Sequence, residues 1–321
     1  MAKTVEQLKK LNKDLEERLI KIKEENSLLV RRQRGRSTSS KGVAFMSDMH
    51  VGSSMAIAPP DPFVSELDTN IKSNRIMSTL YDTLVWGIDH LEQRPHVLGV
   101  IGEPMDGANK LQIGQQSWTT NINDQIKSSV KLLKMFDAPH VLMVRGSKYH
   151  VQVDATNFEE QVARLLGADR YRAYLPESVS LDSKVLDSLA DSALTDYFAY
   201  FDVNGKVFNM THHIGYSSNE MYRTTAMARE MVTMKLSEDF YGKADVYARG
   251  HVHYHVRVGF HHTQGFTNPA WKLPDAFLFR HGQGGTKPDI GFVECIVEPN
   301  EDVLIIPHIK DIDMKPEKRH Y

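Results

Sequence analysis

The chain has 321 residues, of which 41% are hydrophobic and 25% charged, the balance of a soluble globular protein with one large domain or two ordinary ones. No apolar run reaches the roughly 18 residues of a membrane-spanning helix, and the polar N-terminus lacks an apolar signal core, so a cytoplasmic location without a membrane partner is expected. A lone cysteine, Cys295, excludes an intramolecular disulfide and argues against a thiolate zinc site.

The net charge of -2 hides an asymmetry: residues 1–41 carry +6 and the remainder -8. The first 30 residues follow a heptad repeat. Val5, Asn12, Leu19 and Asn26 fall at a, and Leu8, Leu15, Ile22 and Leu29 at d. This pattern predicts a coiled-coil helix that pairs two copies of the chain, with a single amphipathic helix packed on the body as the other reading. Arg31, Arg32, Arg34 and Arg36 then run into Ser37, Thr38, Ser39 and Ser40. Residues 31–41 read as a basic linker, either a solvated spacer or an arm that meets nucleic acid by counterion release.

The body, residues 42–321, alternates strand and helix signals. Val43 to Met46 is a buried strand. Ile76, Leu80, Leu84, Ile88 and Leu91 recur at helical spacing, and His96 to Ile101 is a second strand. Ile122, Ile126, Val130 and Leu133 mark another helix, and Val141 to Val144 a third strand. This alternation argues for a layered α/β core. Beyond residue 190 the pattern shifts. Tyr197–Val203 and Lys206–Thr211 flank Asn204-Gly205, a tight hairpin turn. A helix is predicted over about 219–238, with Met221, Met227, Met231 and Met234 filling core. A second hairpin is expected from Ile290–Val297 and Val303–Ile309 across Pro299-Asn300-Glu301. Gly282-Gln283-Gly284-Gly285 lacks the Lys-Ser/Thr ending of a phosphate loop and reads as a flexible loop.

Each apolar run ends in potential metal ligands, where open α/β folds gather their functional groups. The first ends in Ser47-Asp48-Met49-His50, and the second in Gly102-Glu103-Pro104-Met105-Asp106-Gly107. The third ends in Arg145-Gly146-Ser147-Lys148-Tyr149-His150, the hairpin strand in Thr211-His212-His213, and the next run in Gly250-His251-Val252-His253. Over about residues 43–255 this order resembles the calcineurin-like metallophosphoesterase superfamily. The family's pattern is Asp-x-His, Gly-Asp-x-x-Asp-Gly, Gly-Asn-His-Asp/Glu, an isolated His and Gly-His-x-His. The resemblance implies a four-layer α/β/β/α sandwich, here preceded by the N-terminal coiled-coil helix.

It also implies two divalent metals bridged by one carboxylate and by water. Asp48, His50, Glu103 and His253 would hold one ion. Glu103, His212 and His251 would hold the other, with His212 preferred over His213 because it comes first after the strand. Imidazole and carboxylate ligands suit Mn²⁺, Fe²⁺ or Zn²⁺, with Mn²⁺ favoured. Bridging lowers the pKa of the water, which then attacks the phosphorus in line with the leaving oxygen.

Two departures from the pattern stand out. The usual bridging Asp is Glu103, one methylene longer. Ser147 and Lys148 stand where the family has Asn and His, so His150, two residues on, is the candidate catalytic group or replacement ligand. Asp106 is expected to fix its loop by a hydrogen bond. Arg145 and Arg249 bind phosphate or pair with local acids, and His255, His261 and His262 read as structural. No Gly-x-Ser-x-Gly frame surrounds Ser147. The expected activity is phosphodiester hydrolysis, with nucleic acid as substrate. A phosphomonoesterase or nucleotide phosphatase on the same site is the alternative, and a catalytically weakened scaffold is a third reading.

Overall fold

A computed structural model describes residues 39–60, 63–64, 70–107, 114–153, 156–169, 194–217, 219–280 and 287–313. The heptad segment, the linker through Thr38 and the Gly282–Gly285 stretch lie outside the described residues. The chain divides into two units, Met1–Ser40 and Lys41–Tyr321, and the second holds every element described.

In chain order these begin with β1 (Lys41–Ser47), β2 (Phe63–Val64), β3 (Asn70–Ile71), α1 (Arg75–Asp89), β4 (Pro95–Ile101), α2 (Ile122–Leu133) and β5 (His140–Val144). There follow α3 (Lys148–Val151), β6 (Gln152–Val153), β7 (Thr156–Asn157), α4 (Phe158–Leu166), β8 (Thr195–Asp196), β9 (Phe198–Val203) and β10 (Lys206–Thr211). The last are α5 (Arg223–Leu236), α6 (Glu238–Tyr241), β11 (Val246–Arg249), β12 (Arg257–Phe260), β13 (Thr263–Thr267), α7 (Ala276–Arg280), β14 (Gly291–Val297) and β15 (Leu304–Ile309).

Two sheets carry the fold. One is six-stranded in the order β15-β14-β1-β4-β5-β8, the other five-stranded in the order β12-β13-β11-β10-β9. Side-chain alternation along β1 explains the layering. Val43 and Phe45 enter a core shared with Phe208 and Met210 of β10, Ala248 of β11 and Phe266 of β13. Ala44 and Met46, on the opposite face, pack with Leu80 and Leu84 of α1, Val130 of α2 and Val162 of α4. A strand buried on both faces reads as an unbroken apolar run, which is why this one stood out in the sequence. On the outer face of the second sheet, Met227 and Met231 of α5 pack with Tyr247. The order is helix, sheet, sheet, helix: the α/β/β/α sandwich.

Local chemistry sets the element ends. Asn74, Asn121 and Asn157 cap α1, α2 and α4 by accepting from backbone N–H groups of the first turn. Asn204 and Gly205 both take the left-handed conformation, at φ 52° and 79°, as a two-residue hairpin turn requires. The helix predicted over 219–238 is divided. Asn219 caps a short 3-10 turn, Glu220–Tyr222, ahead of α5, and α6 follows separately. Met221 falls in that turn and is 83% exposed, so it fills no core.

Strands β1, β4 and β5 run parallel, as do β10 and β11, so the carboxyl ends within each set share an edge. Backbone bonds stitch these ends together: Asp48 N donates to Gly102 O at 3.2 Å and Gly250 N to His212 O at 3.1 Å. Gly102, at φ 68°, sits so close to the next strand end that a Cβ would come within 2.6 Å of His212 Nδ1.

Candidate metal centre

Five of the residues at these strand ends have left-handed backbones: Asp48 (φ 51°), His50 (46°), Glu103 (53°), His251 (72°) and His253 (57°). Such backbones cost non-glycine residues energy and persist where the surroundings over-determine them. Here they turn side chains from separate strands toward one point.

Glu103 stands at the middle. Its Oε2 lies 2.9 Å from His50 Nε2, and its Oε1 lies 3.3 Å from His212 Nε2. The two oxygens of one carboxylate thus face two different histidines. On the first side, Asp48, His50, Glu103 and His253 bring one ligand atom each within 4.8 Å of one another, and His253 Nε2 is 3.3 Å from Asp48 Oδ1. On the second side, His212, His213 and His251 form a like group, with His212 and His251 ring centroids 5.2 Å apart.

The donor chemistry fits divalent cations. Asp48 Oδ1 and His212 Nε2 are buried without a hydrogen bond. His212 Nδ1 donates to Ile101 O at 2.9 Å, which leaves Nε2 as the nitrogen facing Glu103. His50 Nδ1 pairs with Asp106 Oδ1 at 3.2 Å, while its Nε2 faces His253 Nε2 at 3.3 Å. Two imidazole nitrogens and two carboxylate oxygens meeting in a buried space call for positive charge.

Protonation tells the same story. Burial and Lys272 oppose a charge on His50, but Glu103 and Asp106 outweigh them and push its pKa up to about 9. Burial likewise opposes a charge on His212, and Glu103 and Asp48 push it up to about 10. Burial works against ionised Asp48, yet the His212 and His253 imidazoles hold it well below the usual carboxylate range. Protons on the histidines balance the acids in the metal-free chain, so ions entering here must displace them.

A cavity of about 560 Å³ opens over the centre, lined in part by His50, Glu103, Ser147, His150, His251 and His253. Tyr149, Tyr216, Leu273, Pro274, Phe277 and Leu278 also line it, and Lys272 is the cationic lysine or arginine side chain among the described lining residues. Lys272 bonds Asp106 and Asp275, each at 3.1 Å.

The third motif arranges itself around Glu103. Ser147 N donates to Glu103 Oε1 at 3.1 Å, and the Ser147 hydroxyl donates to the same oxygen. Lys148 is exposed and does not line the cavity. His150 does line it: Nδ1 donates to Asp106 O at 3.0 Å, and its ring stands edge-on to His50 at 4.7 Å. Asp106 holds His50 and Lys272 rather than facing the second histidine group.

Of the two readings given for Arg145 and Arg249, the substrate-binding one is corrected, and for Arg249 pairing with a local acid is the one found. Arg249 is buried, and its guanidinium is consumed by Glu230, Asn209 and the Ala248 carbonyl. Arg145 bonds Thr195 Oγ1 at 2.9 Å and lies over the Tyr197 ring. Neither lines the cavity.

Two supporting residues carried no signal in the sequence. Glu159, fully buried at the start of α4, accepts from Glu103 N and Gly146 N, both at 3.0 Å. Burial pushes it up to about 7 against the pull of those bonds. Gln125 of α2 accepts from Gly107 N at 2.8 Å and donates to Gly107 O at 3.0 Å. Each is one polar residue among several on an amphipathic helix, and only its partner reveals its use.

The two-sheet α/β/β/α sandwich bears out the expected fold class, and the candidate ligands gather at its strand ends. No family model matches the chain, and no curated protein does. Among solved structures, it is similar to a predicted phosphoesterase from Streptococcus pneumoniae at 8% identity and TM-score 0.35, covering 85% of this chain and 92% of that one. It is similar to Vps29 complexed with zinc from Entamoeba histolytica at 7% identity and TM-score 0.37, covering 83% and 99%. A third is an archaeal phosphodiesterase, at 11% identity and TM-score 0.35, covering 83% and 99%.

Proposed function

We propose that this chain is a metal-dependent phosphodiesterase acting on nucleic acid. The observation that carries the reading is Glu103, whose two oxygens address the His50 side and the His212 side separately. Asp48, His50, Glu103 and His253 would hold one divalent ion, and Glu103, His212 and His251 the other. When bound, such ions supply an acidified water and neutralise charge on the phosphoryl oxygens.

The chain's own groups do the rest. Asp106 orients His50, and the Ile101 carbonyl orients His212. With Nδ1–H given to the Asp106 carbonyl, His150 presents Nε2 for proton exchange with the substrate. Burial, joined by His50 and Lys272 against the pull of Glu103 and Asp106, holds His150 below ordinary imidazole, so its protonated form is a strong donor to a leaving oxygen.

The cavity favours a diester over a monoester. The lysine among its described lining residues is already committed to two aspartates, which leaves little for the second charge of a monoester. Its aromatic and aliphatic wall suits an ester substituent such as a nucleoside. The basic stretch to residue 41 supports a polyanionic substrate, and the heptads of residues 1–30 support a homodimer presenting two sites.

The test is hydrolysis with Mn²⁺, Fe²⁺ or Zn²⁺ of bis-para-nitrophenyl phosphate, para-nitrophenyl phosphate, and labelled single- and double-stranded DNA and RNA, against a His251→Ala control. Diester and nucleic acid cleavage above the control is expected. Faster monoester turnover would make the chain a phosphatase, and a metal-loaded chain inert on every substrate would end the enzymatic reading.

A further inference from the structure

The second half of the centre lacks the amide oxygen that the family's third motif contributes. Ser147 occupies that place, and its N–H and hydroxyl are both directed at Glu103 Oε1. The hydroxyl is held on the Glu103 carboxylate, and Lys148 is exposed and outside the cavity lining. Glu103, His212 and His251 alone would leave that ion with three protein ligands.

A fourth imidazole stands beside them. His213 brings a ring nitrogen within 4.8 Å of ligand atoms on His212 and His251, the same span that relates Asp48, His50, Glu103 and His253. Its ring centroid is 4.9 Å from that of His212 and 5.0 Å from that of His251. His212 and His213 follow directly after β10, and in a continuing strand their side chains would point to opposite faces. The chain instead leaves the strand here, so both rings meet His251 at the end of the neighbouring β11.

We infer that His213 is the ligand that replaces the missing third-motif amide, completing a three-histidine, one-carboxylate site for the second ion. This rests on the two-metal reading above. Exchanging an amide oxygen for imidazole makes the site softer, so the ion it takes is a nitrogen-preferring one such as Zn²⁺ or Fe²⁺ ahead of Mn²⁺.

The experiment is metal stoichiometry and affinity on the full chain, stripped by chelator and titrated with Zn²⁺, by elemental analysis and calorimetry. The parent chain is expected to bind two ions. His213→Ala is expected to keep the first and to weaken the second by at least about 100-fold, since even losing an outer partner of a ligand costs 10–100-fold. Adding Ser147→Asn to His213→Ala restores an amide oxygen and is expected to recover the second ion. His261→Ala, which removes another exposed histidine, is the control and should keep two. Two ions held with unchanged affinity by His213→Ala would overturn the assignment while leaving the two-metal reading intact. A parent chain that binds fewer than two ions would overturn both.

Discussion

The two halves of the candidate metal centre are built differently. On the first side Asp48, His50 and Glu103 are buried and His253 is three-quarters covered; Asp106 holds His50, and Lys272 holds Asp106. On the second side His212 is buried, His251 is half-buried and His213 is exposed; His212 is tied to the Ile101 carbonyl, and the His251 backbone N–H to Asp48. Ser147, which departs from the resembled pattern, bonds the Glu103 oxygen that faces His212, so the departure falls on the second side.

This contrast can be broken in several ways, beginning with the residue that belongs to both halves. Glu103→Gln removes the charge that faces His50 and His212 together. Both ions should be lost, and kcat/KM should fall by more than about 10³-fold, matching several kcal/mol of charge stabilisation. Retention of two ions by this variant would mean that the halves are independent sites. His150→Ala, on the braced side but outside the proposed ligand set, should lower kcat by about 10²–10⁴-fold with metal content unchanged. A metal-poor His150→Ala would make that residue a ligand instead.

Glu159→Ala tests whether bracing is structural. Two buried N–H groups, of Glu103 and Gly146, would lose their acceptor, at a cost of about 1–3 kcal/mol each. Chemical denaturation of the metal-free chain should show that loss, and Glu159→Gln should recover part of it. Unchanged stability in Glu159→Ala would show that the loops hold themselves.

The smallest expected effect is with pH. The raised values of His50 and His212 contribute stability that is complete below the ordinary imidazole value of 6.5 and is lost as pH rises through about 9 and about 10. The Tm of the metal-free chain should therefore decline over that window. Zinc should flatten the decline, because the nitrogens then carry metal in place of protons. A metal-free profile as flat as the loaded one would mean that neither histidine is held protonated by the acids around it.

Much of this molecule is written in short stretches. Residues 43–46, 97–101 and 141–144 carry no polar side chain because those strands are covered on both faces. The turn at Asn204-Gly205 is legible because two successive left-handed residues admit few side chains. Asp48, His50, Glu103, His212, His251 and His253 stand out because acids and imidazoles directly after strands are chemically conspicuous. Arg249 and Arg145 stood out for the same reason, yet their charges are spent on Glu230 and Asn209 in one case and on Thr195 and Tyr197 in the other.

Periodicity, turn chemistry and ligand type are properties of a few neighbouring residues, and the amino-acid order alone specified the strands, the layered class and the pool of candidate ligands. Which atoms of that pool meet is a matter of residues tens to hundreds of positions apart. Glu159 beneath Glu103, Lys272 against Asp106, Ser147 turned onto the Glu103 carboxylate and His213 drawn toward His251 all came from the pairing of neighbouring strands and the packing of helices and loops against their ends. No local pattern encodes those partnerships, because a side chain's charge and shape say what it can bind, and only the folded chain brings the partner within reach.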